Sequence, residues 1–399
     1  MKSINYCGLD VHKDTVFACV IKEDGTKQIS EFGTMTIDLE SLKAWLKEHE
    51  VVKVAMESTG VYWFCVWRIL EDDFDLLLAN PYFIKQMPGR KTDVKDSEWI
   101  ATLLHKGMMK ASLVPNKLIR ALRDYERRYV YLQGRVTSAL QEIERRLIKC
   151  NIRITSISSQ IGSVSVLHVV EKLIEGETDP AKLVQQVHGR ISKRHGVRTL
   201  ESLRGFVEEH DRFLLEQAYC DYKHYVEQAK TMVSKMEALC DTYYHEEMEL
   251  LCSIPGIQRL SAMTIIAETG GDMKPFENAE RLVSWAGLRP RNDESAGKIK
   301  SRKITKGNKF LRRILVQCVW GISRNKKTAL GQKFEALQKR MSSKKAIVAI
   351  ARKQLVLVWV VLSKRAKYQE PIIKAQQTKL KRQIEYHQKR LEQLKQQAS

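Results

Sequence analysis

Several features that define common protein classes are missing from this 399-residue sequence. The eight cysteines are scattered, with no Cys-x-x-Cys pair and no Cys/His cluster, which argues against a zinc module and predicts reduced thiols. The first residues contain no hydrophobic signal core, and the longest apolar stretch, Leu355–Leu362, is too short to cross a bilayer. We therefore expect a soluble, intracellular protein with no membrane partner.

Acidic residues are scarce in the later part of the chain. Through Pro115 there are 14 Lys and Arg against 17 Asp and Glu, whereas the remainder holds 54 against 30 and the net charge is +21. Residues 289–353 alone contain 20 basic and three acidic residues. A basic excess confined to one part of a chain indicates a surface that binds a polyanion such as nucleic acid. A merely solvated basic face explains this concentration less well.

The order of the periodic segments predicts an α/β domain at the start of the chain. Three β-rich runs within residues 4–32 precede a helical pattern at Leu39–Glu48 and a strand at Val51–Met56. An aromatic helix at Val61–Leu70 and a strand at Phe74–Leu78 follow. This is the order of an RNase H-like (RuvC-like) fold, in which ligands gather at strand ends.

The rest of the chain predicts mainly helices. Heptad-like spacing of apolar residues predicts long coiled-coil helices at 116–150 and 215–243, which pair with each other or with another subunit. The segment 151–210 has no clear pattern, and the tail from about Gln369 predicts a basic amphipathic helix. We expect an RNase H-like α/β domain at 1–115, a helical domain at 116–245 with an inserted segment at about 151–210, a mainly α-helical domain at 246–365 and a basic helical tail at 366–399.

Four carboxylates carry the strongest chemical signal. Asp10 ends the first apolar run, Glu57 follows the run Val51–Met56, and Asp93 and Asp96 lie three residues apart on a predicted helix. Singly, such residues are most often caps or solvated positions. Together, in this fold order, they predict hard oxygen ligands for one or two Mg²⁺ ions that assist phosphodiester chemistry.

Ser295, in G-L-R-P-R-N-D-E-S-A-G-K-I-K, is the second candidate site. A serine among cations can attack a phosphodiester, although loop serines are most often turn residues. The neighbouring cations are candidate contacts to nucleic-acid phosphates. They are Arg289, Arg291, Lys298, Lys300, Arg302, Lys303, Lys306, Lys309, Arg312 and Arg313, together with Lys91 beside the D-x-x-D pair.

Seven motifs in order along the chain resemble those of the DEDD-type insertion-sequence transposases, bridge-RNA-guided serine recombinases with a RuvC-like domain. The motifs are G-L-D-V-H-K, A-M-E-S-T-G, K-T-D-V-K-D-S, S-I-P-G-I, W-A-G-L-R-P, S-A-G-K and K-I-T-K-G-N-K-F-L-R-R. The resemblance covers residues 1–115 and 246–330. It implies that the chain cuts and rejoins donor and target DNA, guided by a structured bridge RNA that base-pairs with both.

The resemblance also implies residue roles and assembly. It assigns Mg²⁺ to Asp10, Glu57, Asp93 and Asp96, and it makes Ser295 the nucleophile that forms a covalent phosphoserine link to DNA. It further implies homodimers that assemble into tetramers with a composite catalytic site, and a cytoplasmic, nucleoid-associated location in a prokaryotic cell.

One departure from the family pattern opens an alternative nucleophile. The family often has Ser-Gly at this position, whereas here Ala296 separates Ser295 from Gly297. Ser301, six residues after Ser295, is therefore the alternative.

Two other functions fit part of the pattern. A metal-dependent endonuclease of the Holliday-junction type would hydrolyse DNA with the four acids and water, which leaves Ser295 without a role. A catalytically silent RNA- or DNA-binding scaffold would leave the acids without one. The DNA products separate the three functions. A recombinase gives rejoined strands, an endonuclease gives free cut ends, and a scaffold gives no Mg²⁺-dependent product.

Overall fold

The computed structural model describes residues 5–22, 24–58, 60–86, 96–158, 160–291, 293–295, 298–301, 303–371, 382–388 and 390, without the side chains of residues 83, 85, 86, 293–295 and 298–301. The chain packs into two compact units, Met1–Val114 and Pro115–Ser399. None of the eight cysteines forms a disulfide, as the sequence predicts.

The first unit is a five-stranded mixed sheet with helices. The strands are β1 (Asn5–Val11), β2 (Thr15–Ile21), β3 (Lys27–Gly33), β4 (Val51–Glu57) and β5 (Asp75–Ala79), and the helices are α1 (Thr36–Glu48), α2 (Trp63–Leu70), α3 (Pro81–Gln86) and α4 (Asp96–His105). The strand order is β3-β2-β1-β4-β5. Strands β1 to β3 are antiparallel neighbours, whereas β4 runs parallel to β1 and β5 parallel to β4. The predicted α/β sheet is confirmed.

Burial explains why these segments form this sheet. Leu9 on β1 and Val54 on β4 are fully buried, as expected of central strands covered on both faces. Helix α1 buries Leu39, Leu42 and Leu46, whose spacing by threes and fours forms one apolar stripe. Helix α2 begins two residues later than predicted, because residues 60–62 form a turn that opens with a glycine at φ 60°.

The second unit is mainly helical. Its helices are α5 (Lys117–Lys149), α6 (Val164–Ile174), α7 (Pro180–Leu183), α8 (Gly189–His195), α9 (Val197–Glu201), α10 (Glu209–Tyr243), α11 (His245–Cys252), α12 (Arg259–Thr269), α13 (Ala279–Trp285), α14 (Lys309–Ile322), α15 (Ala329–Gln338) and α16 (Ser343–Lys364). A hairpin of β6 (Asp293–Ser295) and β7 (Lys298–Ser301) lies between α13 and α14, and 3₁₀ turns lie at Ile154–Ser156 and Val184–Gln186.

The two long helices α5 and α10 pack along each other within one chain. The Asn116 side chain caps α5 by accepting a hydrogen bond from the Ile119 amide at 2.9 Å. Leu122, early in α5, joins the core formed with α11 to α16. Ile143 and Leu147, near its end, join a second core with α6 and α10. The segment 151–210, which has no clear sequence pattern, thus folds as short helices around the far end of α5.

Helix α16 extends the Leu355–Leu362 stretch to 22 residues. Among the described residues it is the one helix with the length and apolar composition to cross a membrane, and half of its apolar window is buried inside the unit. Ile350, Leu355 and Val358 lie in the core of the second unit. Its packing is therefore that of a core helix in this unit.

The expected start of the tail helix is wrong. Helix α16 ends at Lys364, the next residue Arg365 adopts the left-handed conformation with φ 50°, and residues 366–371 are not helical. Pro371 disfavours helical geometry in the residue before it. Residues 382–388 are helical and exposed.

Candidate active site and nucleic-acid interface

Asp10 and Glu57 lie at neighbouring strand ends. In the parallel pair of β1 and β4 the last matched residues are Leu9 and Met56, so Asp10 and Glu57 come next on adjacent strands. Asp10 also pairs with Phe17 of β2. Because parallel strands end at the same edge of a sheet, the two carboxylates share that edge, as the sequence predicts.

Asp96 is brought to the same place by a close helix–strand contact. It is the first residue of α4, which packs on β1 and β2. A Cβ on Gly8 would lie 2.2 Å from the backbone nitrogen of Ala101 and 2.4 Å from the carbonyl oxygen of Ser97. Gly8 and Asp10 are two residues apart on β1 and therefore point to the same face. The helix thus begins above the face that carries Asp10.

The pKa of Asp10 reflects burial and the nearby charges of Asp96 and Glu57. Burial raises the pKa of the half-buried Asp10 carboxyl, and the negative charges of Asp96 and Glu57 raise it further. His12 acts in the opposite direction, since its Nε2 lies 3.1 Å from Asp10 Oδ2. Asp96 and Glu57 are therefore close enough to Asp10 for their charges to raise its pKa.

His12 is a contact that the sequence did not assign. The ring stacks edge-on with Phe17, with the ring centroids 6.1 Å apart. The signal was the Asp-x-His spacing near a strand end, because residues two apart on a strand share a face.

The donor set suits a hard divalent cation. Carboxylate oxygens are the ligands that Mg²⁺ prefers, and a bound cation would relieve the mutual repulsion of clustered acids. Among the described residues, no three His, Cys, Asp or Glu side chains are gathered closely enough to form a complete metal site. Asp93 and Lys91 lie outside the described residues. Of the four predicted ligands, Asp10, Glu57 and Asp96 are described; the charges of Glu57 and Asp96 act on Asp10, but the three do not form such a site.

In the second unit, Ser295 lies on a two-stranded ribbon, which we define as the described residues among 289–305. Ser295 ends β6 and pairs with Lys298 of β7. The side chains of Ser295, Ser301, Lys298 and Lys300 are not among those described, and Arg302 lies outside the described residues.

The foot of the ribbon is held by backbone hydrogen bonds. The Arg291 amide donates to the Lys303 carbonyl and the Thr305 amide to the Arg289 carbonyl, both at 3.0 Å. These bonds pair the two chain segments on the side of the hairpin nearest to α13 and α14.

Two glycines on either side of the ribbon, Gly287 and Gly307, pack against each other. Gly287, with φ 71°, and Gly307 approach so closely that a Cβ on Gly307 would lie 2.4 Å from the Gly287 nitrogen. A side chain at either position would separate the two chain segments. The chain segment that follows α13 therefore packs directly against the segment that precedes α14.

The structure separates the candidate cations into two kinds. Five are exposed: Arg289, Arg291, Lys303, Lys306 and Lys309. The other two are partly buried and have partners within the unit. Arg312 Nη1 donates to the Thr305 carbonyl at 3.4 Å, and Arg313 Nη2 donates to Glu126 Oε1 at 3.3 Å.

A cleft of about 1550 Å³ borders the foot of the ribbon. It is lined by Pro290 and Ile304 of the ribbon and by residues of α15 and α16, and its floor is largely apolar. Lys333 and Lys353 face each other there, and the contact with Lys333 lowers the pKa of Lys353, with burial adding to the effect. Both lysines belong to the basic segment 289–353, but the sequence does not show that they lie close together in the fold.

Two sequence families match this chain. The profile of the DEDD_Tnp_IS110 transposase family matches residues 7–151, and that of the IS116/IS110/IS902 transposase family matches residues 248–334. The two matched segments together span more than half of the chain.

Curated proteins with similar sequences include three from different bacteria. A transposase for insertion sequence element IS1111A from Coxiella burnetii is 23% identical over 396 residues, covering 92% of each chain. A probable family 20 transposase from Pseudomonas aeruginosa is 22% identical over 322 residues, covering 79% of this chain and 85% of its own. A pilin gene-inverting protein from Moraxella bovis is 30% identical over 137 residues, covering 33% of this chain and 42% of its own.

The fold, a mixed α/β sheet followed by a helical region, is consistent with a transposase domain of the DEDD type. The chain belongs to the IS110/IS116/IS902 family of insertion-sequence transposases. It is accordingly a DNA transposase, an enzyme that acts on DNA strands.

Proposed function

We propose that this transposase exchanges donor and target DNA strands through a covalent phosphoserine intermediate, with Mg²⁺ assistance and sequence choice by a guide RNA. The observation that carries the proposal is the convergence of Asp10, Glu57 and Asp96 on one sheet edge. Asp93 completes the proposed ligand set from the sequence. The ribbon that bears Ser295 supplies the second chemical group.

We assign the first unit to the RNase H-like (RuvC-like) class. Its order β3-β2-β1-β4-β5, with three antiparallel strands followed by two parallel ones, supports this class. The acids Asp10 and Glu57 then occupy the strand ends where such a sheet gathers its ligands.

The proposed reaction balances without an external energy source. Ser295 Oγ loses its proton and bonds to the scissile phosphorus, and the bond from phosphorus to the 3′ oxygen breaks, so that a 3′-hydroxyl leaves. The reverse attack by a 3′-hydroxyl of the other DNA releases Ser295 and rejoins the strand. Mg²⁺ bound at the acids, as one ion or two, would supply stabilisation of negative charge on the oxygens around phosphorus.

The cations of the ribbon and of α14 are proposed to hold nucleic-acid backbones. Lys303, Lys306 and Lys309 are exposed on one continuous segment, and Lys333 and Lys353 add two charges in the neighbouring cleft. Phosphate contacts of this kind give affinity without sequence choice. Base pairing to the guide RNA would supply the sequence choice.

We also propose that α5 and α10 form a coiled-coil interface between copies of the chain. Large apolar side chains are exposed along both helices, among them Tyr131 at 55% and Tyr243 at 59%. A second copy would cover these residues, and two dimers would form the tetramer. The protein would act in the cytoplasm, at the nucleoid, where its DNA substrates lie.

A covalent-adduct experiment tests the nucleophile. Wild-type protein, Ser295→Ala and Ser301→Ala are incubated with guide RNA, Mg²⁺ and labelled donor DNA, and protein-linked DNA is measured on denaturing gels. We expect the adduct to disappear in Ser295→Ala and to persist in Ser301→Ala. An adduct that persists in Ser295→Ala and is lost in Ser301→Ala would move the role to Ser301, and one that persists in both would refute serine catalysis.

A metal-dependent junction endonuclease is the second candidate, because the acids of the first unit need only water to cleave DNA. Product analysis decides between the two. Rejoined recombinant strands require a conserved phosphodiester bond, whereas free ends indicate hydrolysis. The name of the Moraxella bovis relative, a pilin gene-inverting protein, favours rejoining, because an inverted gene has intact ends.

A further inference from the structure

A buried polar contact lies three residues after the end of the ribbon, at Asn308. Glu268, near the end of α12, is fully buried, with 0% of its surface exposed. Its Oε2 accepts a hydrogen bond from Asn308 Nδ2 at 2.5 Å. Burying a carboxylate is costly unless cations and donors compensate it, so a carboxylate here calls for an explanation.

Two arginines of α5 compensate the buried charge. Arg123 Nε lies 3.8 Å from Glu268 Oε2, and Arg127 Nη2 lies 3.7 Å from Oε1. Arg123 also donates to the carbonyl oxygens of Ala267 and Glu268, both at 3.0 Å. These contacts fix Glu268 against α5 as well as on its own helix. The carboxylate thus lies between two cations, and its hydrogen bond in the interior is the one that Oε2 accepts from Asn308.

Asn308 is the residue through which Glu268 reaches the ribbon. Its Oδ1 caps α14 by accepting from the amides of Phe310 and Leu311, both at 3.0 Å. Its own backbone amide donates to the carbonyl of Trp285 at 3.1 Å. Because a carboxylate only accepts, it holds the NH₂ end of the Asn308 amide toward itself and leaves the oxygen end for the cap. Glu268 thus selects the orientation of this side chain.

Backbone contacts connect Asn308 to the ribbon. Gly307, immediately before Asn308, is pressed on Gly287, and the Thr305 amide then pairs with the Arg289 carbonyl. Beyond these residues the Arg291 amide pairs with the Lys303 carbonyl, and Asp293 pairs with Ser301 in the hairpin whose first strand Ser295 ends. Catalysis depends on the placement of the reacting groups, because a misplacement of about 1 Å can cost about 100-fold in rate.

We propose that Glu268 is a positioning residue for Ser295: through Asn308 it fixes the direction in which the ribbon leaves the helical core. This inference rests on the proposed role of Ser295 as nucleophile. Glu268 does not contact the reacting atoms, and it acts only through the hydrogen bond to Asn308.

A reversal of donor and acceptor tests the pair. Asn308→Asp keeps a side chain that caps helices as well as asparagine does, but it places one carboxylate against another. At about pH 8 we expect the rate of covalent adduct formation to fall about 100-fold, with the Kd for DNA unchanged within about threefold. Adding Glu268→Gln restores a donor from position 268, and the double variant should recover to within about tenfold of wild type.

Two controls separate positioning from general damage. Asn278→Asp makes the same change at the cap of α13, where the asparagine accepts from the Arg281 amide at 3.0 Å, and should leave the rate unchanged. Glu268→Gln alone still offers Asn308 an acceptor and should lower the rate far less than Asn308→Asp. If the double variant is as slow as Asn308→Asp, or Asn308→Asp reacts at the normal rate, the proposal is wrong.

A second measurement keeps this proposal distinct from the proposed function. Hydrogen exchange at the amides of Arg291 and Thr305 reports on the ribbon whichever serine reacts. Faster exchange in Asn308→Asp and recovery in the double variant support the coupling, and unchanged exchange overturns it. A retained adduct in Ser295→Ala instead refutes the proposed nucleophile, and with it the catalytic part of this inference.

Discussion

Gly8 of β1 and Ser97 of α4 are in direct backbone contact: a Cβ on Gly8 would lie 2.4 Å from the Ser97 carbonyl oxygen. The contact matters because Ser97 follows Asp96 and Gly8 precedes Asp10 by two residues. The missing side chain at position 8 therefore sets how closely the two acids approach. A helix pushed away from β1 would take one proposed metal ligand with it.

Gly8→Ala should damage the metal site as well as the fold. Backbone atoms of α4 block the added methyl, so the helix must shift at a cost of about 1–3 kcal/mol or more. We expect a lower melting temperature and Mg²⁺-dependent cleavage reduced about 100-fold. Gly134→Ala is the matched control, because a Cβ there meets nothing within 4 Å and alanine favours a helix. Normal cleavage in Gly8→Ala would show that the contact does not position Asp96.

Mg²⁺ binding at the acids should stabilise the protein. A ligand that binds only the folded state raises stability by about 2.7 kcal/mol at a concentration 100 times its Kd. We expect Mg²⁺ or Mn²⁺ to raise the melting temperature of wild-type protein and to have no such effect in Asp10→Asn. Asp75→Asn, whose carboxylate pairs with Lys53 at 3.1 Å at the start of β5, is a matched control that should keep the metal response. An equal metal response in Asp10→Asn would remove Asp10 from the ligand set.

Exposed lysines near the ribbon should contribute to the salt dependence of DNA binding. Each phosphate contact adds about 0.9 to the slope of log K against log salt concentration. Lys306→Gln and Lys309→Gln should each lower that slope by about 1 without changing the melting temperature. A titration of DNA binding at several salt concentrations measures this. Unchanged slopes in both variants would move the phosphate contacts elsewhere.

Arg313 should behave differently from those lysines, because it serves as the partner of buried Glu126. Arg313→Gln leaves that carboxyl without its hydrogen-bonded cation, and because the arginine is partly exposed the loss costs about 1–3 kcal/mol. We expect a marked fall in melting temperature as the main effect. Lys306→Gln, at an exposed position, is the control for loss of charge alone.

Stability of the second unit should fall as pH rises through neutrality. Burial raises the pKa of Glu126 to about 7 from 4.5, and the Glu268 charge adds to the effect. A carboxyl with a raised folded-state pKa stabilises the fold fully below its unfolded pKa, and this contribution is lost as pH rises through the folded pKa. The difference is at most about 3–4 kcal/mol, since this pKa rises from 4.5 to about 7.

Thermal unfolding at about pH 5 and about pH 8 checks this. Glu126→Gln should shrink the difference in melting temperature between the two conditions, because the neutral amide does not titrate. Glu142→Gln, on the same helix and paired with Arg146 at 2.7 Å, should leave the difference intact. An unchanged difference in Glu126→Gln would show that another group controls the pH dependence.

The amino-acid sequence by itself determined the elements of the sheet and the ends at which its acids lie. Apolar runs and alternation predicted the strands at Val51–Met56 and Phe74–Leu78 to within two residues of their observed bounds. A strand end is a local property, so Asp10 and Glu57 were predicted at the ends of two strands of one sheet. The helices α5 and α10 followed from heptad spacing for the same reason.

The tertiary structure alone decided the contacts between residues far apart in the chain. The approach of Gly8 to Ser97 spans 89 positions and the hydrogen bond of Asn308 to Glu268 spans 40. No local period encodes such pairs, because they depend on how packed elements cross. The helical fold of residues 151–210 was likewise set by packing on the end of α5, since short helices are marginal on their own and form where a core receives their apolar face.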